Sequence, residues 1–241
     1  MEFTINKDTT NCWYKNKCGK YDTEQCTYYC DRYFRLKHLA DYSLLTQKQQ
    51  HPIPLSPYER DVGTFSSLSL IRDNIDTFVQ DGQCLLIHSK NTGNGKTTWA
   101  TKLLMQYLQS IMWDVDCTKP HAIFVSASEY LYLCKQTFNG DKSDKLDYLN
   151  YWIPRVELVV WDDIIPENKS NYDNTMLFMQ IDRRLNNGLS NIFTANGSKE
   201  WLKEFLPPRL YSRVVLNSQC YEIFGMDDRA PKNDSTNGET D

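Results

Sequence analysis

The chain has 241 residues, 40% hydrophobic and 24% charged, enough to bury one full core and carry a small appended module. Its formal net charge is -4, and the last 20 residues alone hold six acids against two bases; the neutral remainder argues against a protein wrapped in nucleic acid and leaves room for a local basic stripe. No apolar run approaches the roughly 18 residues of a membrane span and the opening residues lack a secretory stretch, which predicts a cytoplasmic protein with no membrane partner and without disulfides.

Four of the eight cysteines, Cys12, Cys18, Cys26 and Cys30, crowd into the first 30 residues. Their spacing, x5, x7 and x3, is short enough for four thiolates to close around one tetrahedral Zn²⁺, a structural site with no open position. Lys15, Lys17 and Lys20 lie in the loops and offset the residual charge of such a site. A segment this small has no adequate core, so a metal would supply its folding free energy. Trp13, Tyr14, Tyr28, Tyr29, Tyr33 and Phe34 make it rich in aromatic rings, which suits a protein interface, stacking on single-stranded DNA, or plain packing around the metal.

A helical stretch is expected from about Asp31 to Gln50. From His51 to Pro57 there are three prolines in seven residues, which places a linker and a boundary there. The expected division is a cysteine module at 1–50, a linker at 51–67, an α/β domain at 68–229 and a disordered tail at 230–241, rich in Asn, Asp, Ser, Thr and Gly.

Beyond the linker, short apolar runs at 84–88, 122–126, 157–161 and 191–195 alternate with amphipathic stretches at 96–111, 128–138, 142–152 and 171–187. Buried strands separated by helices predict a parallel sheet covered on both faces, with a ligand outside the strands' carboxyl ends.

The residues between the first strand and its helix are Ser89-Lys90-Asn91-Thr92-Gly93-Asn94-Gly95-Lys96-Thr97-Thr98. This reads as a phosphate-binding loop made by Gly93, Asn94, Gly95, Lys96, Thr97 and Thr98. Its backbone N–H groups face a polyphosphate, Lys96 reaches the β and γ phosphates, and Thr97 ligates Mg²⁺ at the positive end of a helix. Lys90 occupies the place of the pattern's first glycine, which calls for a strained backbone or a different turn.

Hydrolysis needs an acidic pair at a neighbouring strand end, and Asp162-Asp163 follows Val159-Val160-Trp161. Asp162 would hold the Mg²⁺ water shell and Asp163 would deprotonate the attacking water. A strand running into a helix N-cap explains the same residues. Asn196, at the end of the following strand, is placed to bond the attacking water or the γ phosphate, and Asn196-Gly197 is equally a turn dipeptide.

Together these residues resemble an AAA+ ATPase of the helicase-loader group typified by DnaC and DnaI, with IstB-type transposition ATPases as near relatives, over about Leu68 to Arg229. In that resemblance Ile192 to Asn196 is the sensor 1 strand, and Leu206 to Val214 is similar to the box containing the arginine finger. By that match Arg213 reaches the γ phosphate of an adjacent subunit, with Arg209 as a lesser candidate; a surface salt bridge explains Arg213 too. Only 28 residues follow Arg213, too few for the helical lid of most AAA+ proteins, which leaves Arg229 a weak sensor 2 candidate.

The resemblance implies an ATPase binding ATP/ADP and Mg²⁺ that forms a homo-oligomer. It would load a DnaB-type replicative helicase onto single-stranded DNA, gripping the helicase through its N-terminal region. Alternatives are an IstB-like transposition regulator or a weakly hydrolysing nucleotide-bound adaptor. Lys199, Lys203, Arg183 and Arg184 fall on expected helices and are either DNA contacts or a solvated charged face.

Overall fold

A computed structural model describes residues 12–26, 30–164 and 170–225. Within them the strands β1 (Cys84–Ser89), β2 (Ala122–Ser126), β3 (Leu158–Asp162), β4 (Ser190–Asn196) and β5 (Gln219–Glu222) form one sheet in the order β2-β3-β4-β1-β5. Every pairing is parallel, as expected of apolar runs joined through helices. The expected α/β class is the observed one, with four strands where the apolar runs placed them. β5 was not anticipated. Tyr28, Tyr29, Arg229 and the tail from Ala230 lie outside the described residues.

The two-residue period of the strands divides the core. Leu85 and Ile87 of β1 face one side with Phe124, Leu158, Val160 and Ile192; Leu86 faces the other with Ile123, Val159, Trp161 and Phe193. On the first side lie α1 (Asp31–Tyr42), α3 (Val62–Asp73), α4 (Ile75–Gln80) and α5 (Lys96–Ile111). On the second lie α6 (Ala127–Gln136), α7 (Asp144–Trp152), α8 (Asn171–Asn186), α9 (Lys199–Phe205) and α10 (Pro208–Tyr211). The short α2 (Gln47–Gln50) touches α5.

Sequence explains the elements locally. In α5 the residues Trp99, Leu103, Leu104, Tyr107 and Leu108 are buried, a spacing that lines one helical face. Helix α8 starts with a reciprocal capping box between Ser170 and Asp173, which satisfies two amide donors that would otherwise lack partners.

The expected helix over 31–50 is broken. Leu44 adopts φ 61° and separates α1 from α2, whose N-cap Thr46 forms a capping box with Gln49. This break has a purpose in the packing: the carbonyl of Ser43 accepts from the backbone N–H of Phe124 at 2.9 Å, and the Tyr148 hydroxyl donates to the carbonyl of Tyr42 at 2.6 Å. The chain thus covers part of the open edge of β2, which otherwise offers unpaired backbone groups. Tyr14, Tyr33, Leu36, Leu39 and Leu45 belong to the same buried cluster as Leu85, Leu104 and Phe124, so the cysteine-bearing segment is packed onto the α/β unit. The stretch expected as linker contains the first half of α3.

Arg184, expected on a solvated face or against DNA, is neither. Its side chain is fully buried. Nε donates to Asn191 Oδ1 at 2.8 Å, Nη1 to the carbonyls of Ile153 and Val156 at 2.5 and 2.8 Å, and Nη2 to those of Glu157 and Ser190 at 3.3 and 2.5 Å. Burial pulls its pKa down, to about 9, and five hydrogen bonds keep the guanidinium charged at neutral pH. The carbonyls left by the turn before β3 and by the start of β4 converge here on one forked donor, that of Glu157 accepting also from the Ser190 N–H at 3.1 Å.

His121, just before β2, carries a pH signature. Nδ1 faces Glu157 Oε1 at 3.3 Å and Nε2 faces the carbonyl of Asp116 at 3.1 Å; with two acceptors, only the imidazolium donates to both. The bond to Glu157 raises its pKa above 6.5. A raised folded-state value means the contribution is complete below about pH 6.5, the unfolded value, and is lost as pH rises through the folded one. We expect His121→Gln to destabilise the protein more at about pH 5.5 than at about pH 8.5, with a difference under about 1 kcal/mol because Glu157 is half-exposed. Urea unfolding at both pH values checks this, and an equal cost at both would refute it.

Candidate nucleotide site

The end of β1 opens into the loop between Ser89 and Lys96. Gly93 and Gly95 have φ 71° and 93°, left-handed values that only glycine adopts without cost. Gly95 has a second reason to lack a side chain: a Cβ there would lie 2.7 Å from Leu55 Cδ1. Lys90 has no left-handed backbone, so the missing glycine is accommodated by a different turn, not by strain. Its exposed amine lies near Glu200, whose carboxyl is held below its ordinary pKa first by hydrogen bonds to its own backbone N–H and to Ser198 and then by this charge.

The loop is held by its own amides. Ser89 Oγ accepts from the Asn91 N–H at 3.0 Å and from Asn94 Nδ2 at 2.5 Å, while Asn94 Nδ2 also reaches the carbonyl of Ile223. Asn91 Nδ2 donates to the carbonyls of Phe224 and Gly225. Lys96 Nζ bonds the Asn91 carbonyl at 2.7 Å and Asn94 Oδ1 at 3.2 Å, which places its charge inside the loop's curve. Asn91 and Asn94 therefore brace the loop, and Asn91 was not among the expected site residues.

Three neighbouring strand ends meet the start of α5. Asp162 Oδ1, at the end of β3, accepts from Thr97 Oγ1 at 2.8 Å and from Thr194 Oγ1 at 2.7 Å. The Asp163 N–H donates to Thr194 Oγ1 at 2.8 Å, and Asn196 Nδ2 donates to Asp163 Oδ1 at 3.0 Å. Thr194 and Asn196 are two apart on β4 and project to one face; Thr194 was missed because a threonine inside a strand reads as ordinary β-propensity. Asp163 sits at φ 52°, a conformation costing an L-residue roughly 1–2 kcal/mol that marks strain held at a site.

These groups line a cleft of about 630 Å³ with Thr92, Gly93, Asn94, Gly95, Lys96, Thr97, Asp162, Asp163, Thr194 and Asn196 on one wall. Thr98 and Thr101 lie on α5 beside them, and Thr46, Lys48, Gln49, Pro52, Ile53 and Leu55 complete the lining. Volume, loop and donor chemistry fit a nucleoside triphosphate with Mg²⁺: amides and an ammonium for phosphate, and hard hydroxyl and carboxylate oxygens of Thr97 and Asp162 for the metal.

Arg213 is not in this cleft. It sits in the π-helical turn Ser212–Leu216 that continues α10, donates from Nε to Asp182 Oδ1 at 2.8 Å and lies 5.8 Å above the ring of Phe178. Arg209 is exposed.

The expected zinc site is not formed. Among the described residues no three His, Cys, Asp or Glu side chains converge on a common point, although Cys12, Cys18, Cys26 and Cys30 are all described. Cys12 is buried with Tyr14 and Tyr33, and Cys18 and Cys30 pack partly buried against the same cluster; the Cys26 N–H closes a turn on the Thr23 carbonyl, and Cys30 is also the N-cap of α1.

Comparison with known proteins agrees with this geometry. No family profile matches the chain. The replicative helicase loader DnaC of Escherichia coli K12 is 23% identical over 166 residues, 68% of this chain and 63% of that protein. The chain thus matches less than two thirds of the length of this loader. A crystal structure of DnaI superposes with TM-score 0.56 at 18% identity, covering 81% of this chain and all of that one. DnaA of Aquifex aeolicus bound to AMPPCP gives TM-score 0.54 at 14% identity, covering 75% and 51%. The fold is that of the AAA+ P-loop domains. Among the described residues no helix is long and apolar enough to cross a membrane.

Proposed function

We propose that this chain is an ATP-dependent helicase loader that binds and hydrolyses ATP and assists a DnaB-type replicative helicase onto single-stranded DNA in the cytoplasm. The observation that carries the ATPase reading is the hydrogen-bonded series Thr97, Asp162, Thr194, Asp163 and Asn196 across the carboxyl ends of β3 and β4, opposite the phosphate loop. The loader reading rests on the similarity to DnaC and DnaI.

In this proposal the loop amides and Lys96 hold the triphosphate, and Thr97 and Asp162 hold Mg²⁺, which supplies charge neutralisation at the phosphates. Asp163 takes a proton from the attacking water while Asn196 fixes its carboxylate. Asp163 is a methylene shorter than glutamate, which suits slow turnover. Arg213 completes the site of a neighbouring subunit, so that activity depends on homo-oligomer assembly. In support, it lies outside its own cleft on a π-helical turn, a feature frequent at functional sites.

The cysteine-bearing segment is the proposed grip on the helicase. Zinc is no part of this reading: a full equivalent of zinc on purified protein would require the segment to rearrange from the packing described above, since four thiolates must each come within about 2.3 Å of the metal.

ATPase assays with Lys96→Ala and Arg213→Ala test the proposal. Lys96→Ala is expected to lower turnover about 10²–10³-fold, and Arg213→Ala about 10³-fold or more with ATP binding retained. Wild-type rates in both would remove the enzyme. Co-purification of the intact chain with a DnaB-type helicase tests the loader role, and no association would defeat it.

A further inference from the structure

Two chemically different stretches of chain line the cleft. The phosphate loop, Asp162 and Asp163 bring polar and charged groups, while Pro52, Ile53 and Leu55 bring an apolar wall, with the polar side chains of Thr46, Lys48 and Gln49 from the same stretch. Ile53 is 58% exposed and Leu55 is seated over Gly95. Apolar faces with polar edges match a purine ring, whose faces are apolar and whose rim carries donors and acceptors. A triphosphate alone has no use for this wall.

The wall is suspended from the cysteine-bearing segment. The Trp13 indole N–H donates to the Gln50 carbonyl at 2.8 Å, and its ring stacks on His51 with centroids 4.9 Å apart and planes 11° off parallel. Gln50 is itself buried and donates from Nε2 to Asp41 Oδ1 and to the Leu45 carbonyl. Trp13 also meets Tyr33 of α1 at 5.0 Å. Gln50 and His51 sit between the cleft-lining residues Thr46, Lys48 and Gln49 before them and Pro52, Ile53 and Leu55 after them. Beside the bonds of the Gln50 side chain, 50–51 are therefore fixed by Trp13, which is far from the phosphate loop in sequence.

We infer that Trp13 is a positioning residue that holds residues 46–55 as the nucleoside-binding wall of the cleft, so that the cysteine-bearing segment tunes affinity for the nucleoside part of ATP without touching the phosphates. This rests on the nucleotide-binding reading above. Anything that grips the cysteine-bearing segment and draws Trp13 away then loosens the nucleoside, and nucleotide in turn biases that segment by the same coupling.

The test is titration calorimetry of the full chain with MgATP and, separately, with magnesium tripolyphosphate, which has no nucleoside. Trp13→Ala is expected to weaken MgATP about tenfold while tripolyphosphate affinity stays within about twofold. Ile53→Ser, at an exposed position that leaves folding intact, should show the same split. Trp13→Phe keeps a ring in the core but loses the indole donor, and should fall between Trp13→Ala and wild type, which settles the matter if Trp13→Ala does not fold. Unchanged MgATP affinity in Trp13→Phe and Ile53→Ser, or equal loss for both ligands, overturns the inference. Wild-type protein that binds neither ligand removes the nucleotide reading itself; wild-type protein that binds both equally well removes only the nucleoside wall.

Discussion

Asp163→Asn should lower ATP turnover by about two to four orders of magnitude, the usual contribution of a general base, while leaving the affinity for MgATP within about twofold of wild type. The substitution is clean for structural reasons. Asparagine tolerates the left-handed backbone found at φ 52° as aspartate does. Its amide oxygen can still accept the bond from Asn196 Nδ2, and the backbone N–H bonded to Thr194 Oγ1 is unaltered. Only the negative charge and the proton acceptor are removed. Steady-state ATPase measured beside nucleotide titration decides it: turnover equal to wild type would sink the assignment of Asp163, and loss of binding would move its role from base to ligand of the bound nucleotide.

Arg184→Met should cost about 3–5 kcal/mol of stability, the scale seen when one member of a buried, charge-assisted network is removed. Methionine roughly refills the volume of the aliphatic stem but takes the guanidinium from the carbonyls of Ile153, Val156 and Ser190, each buried acceptor costing about 1–3 kcal/mol where it finds no other donor, while the Glu157 carbonyl keeps the Ser190 N–H. Asn191 would lose the partner that aligns it between Trp161 Nε1 and Cys84 Sγ. Arg184→Lys keeps the charge but cannot fork to four carbonyls, and belongs between the two. Against a total stability of about 5–15 kcal/mol, the methionine variant should show a large fall in urea midpoint or fail to accumulate. A shift worth less than about 1 kcal/mol would show that water or a relaxed turn satisfies those carbonyls.

That the loop from Ser89 to Thr98 lies between a strand and a helix and that Asp162-Asp163 stands at a neighbouring strand end were legible, because a glycine-rich turn and an acidic pair are read from local residue types beside an apolar run. The four apolar runs that became β1 to β4 were legible because strands buried on both faces must be continuously apolar. β5 was not: Gln219-Cys220-Tyr221-Glu222 is half-exposed at the sheet edge and needs no such run. Helix α3 was hidden by the prolines just before it, although Leu68 and Ile71 carry a helical spacing on its buried face. Arg184 misled because, in sequence, an arginine beside another arginine near a helix end is indistinguishable from a solvated pair.

The amino-acid order alone determined the chemistry of one wall of the cleft and the alternation of strand and helix, because both are local matters of side-chain type and period. Only the tertiary structure decided the rest: that Thr194 joins Thr97 on Asp162, that Arg213 stands apart from its own cleft, that no three metal-ligating side chains group together among the described residues, and that residues from 46 to 55 line the same cleft as the phosphate loop. Those contacts join residues tens to more than a hundred positions apart, and which of them form depends on how buried surface and backbone hydrogen bonds are satisfied over the whole chain at once.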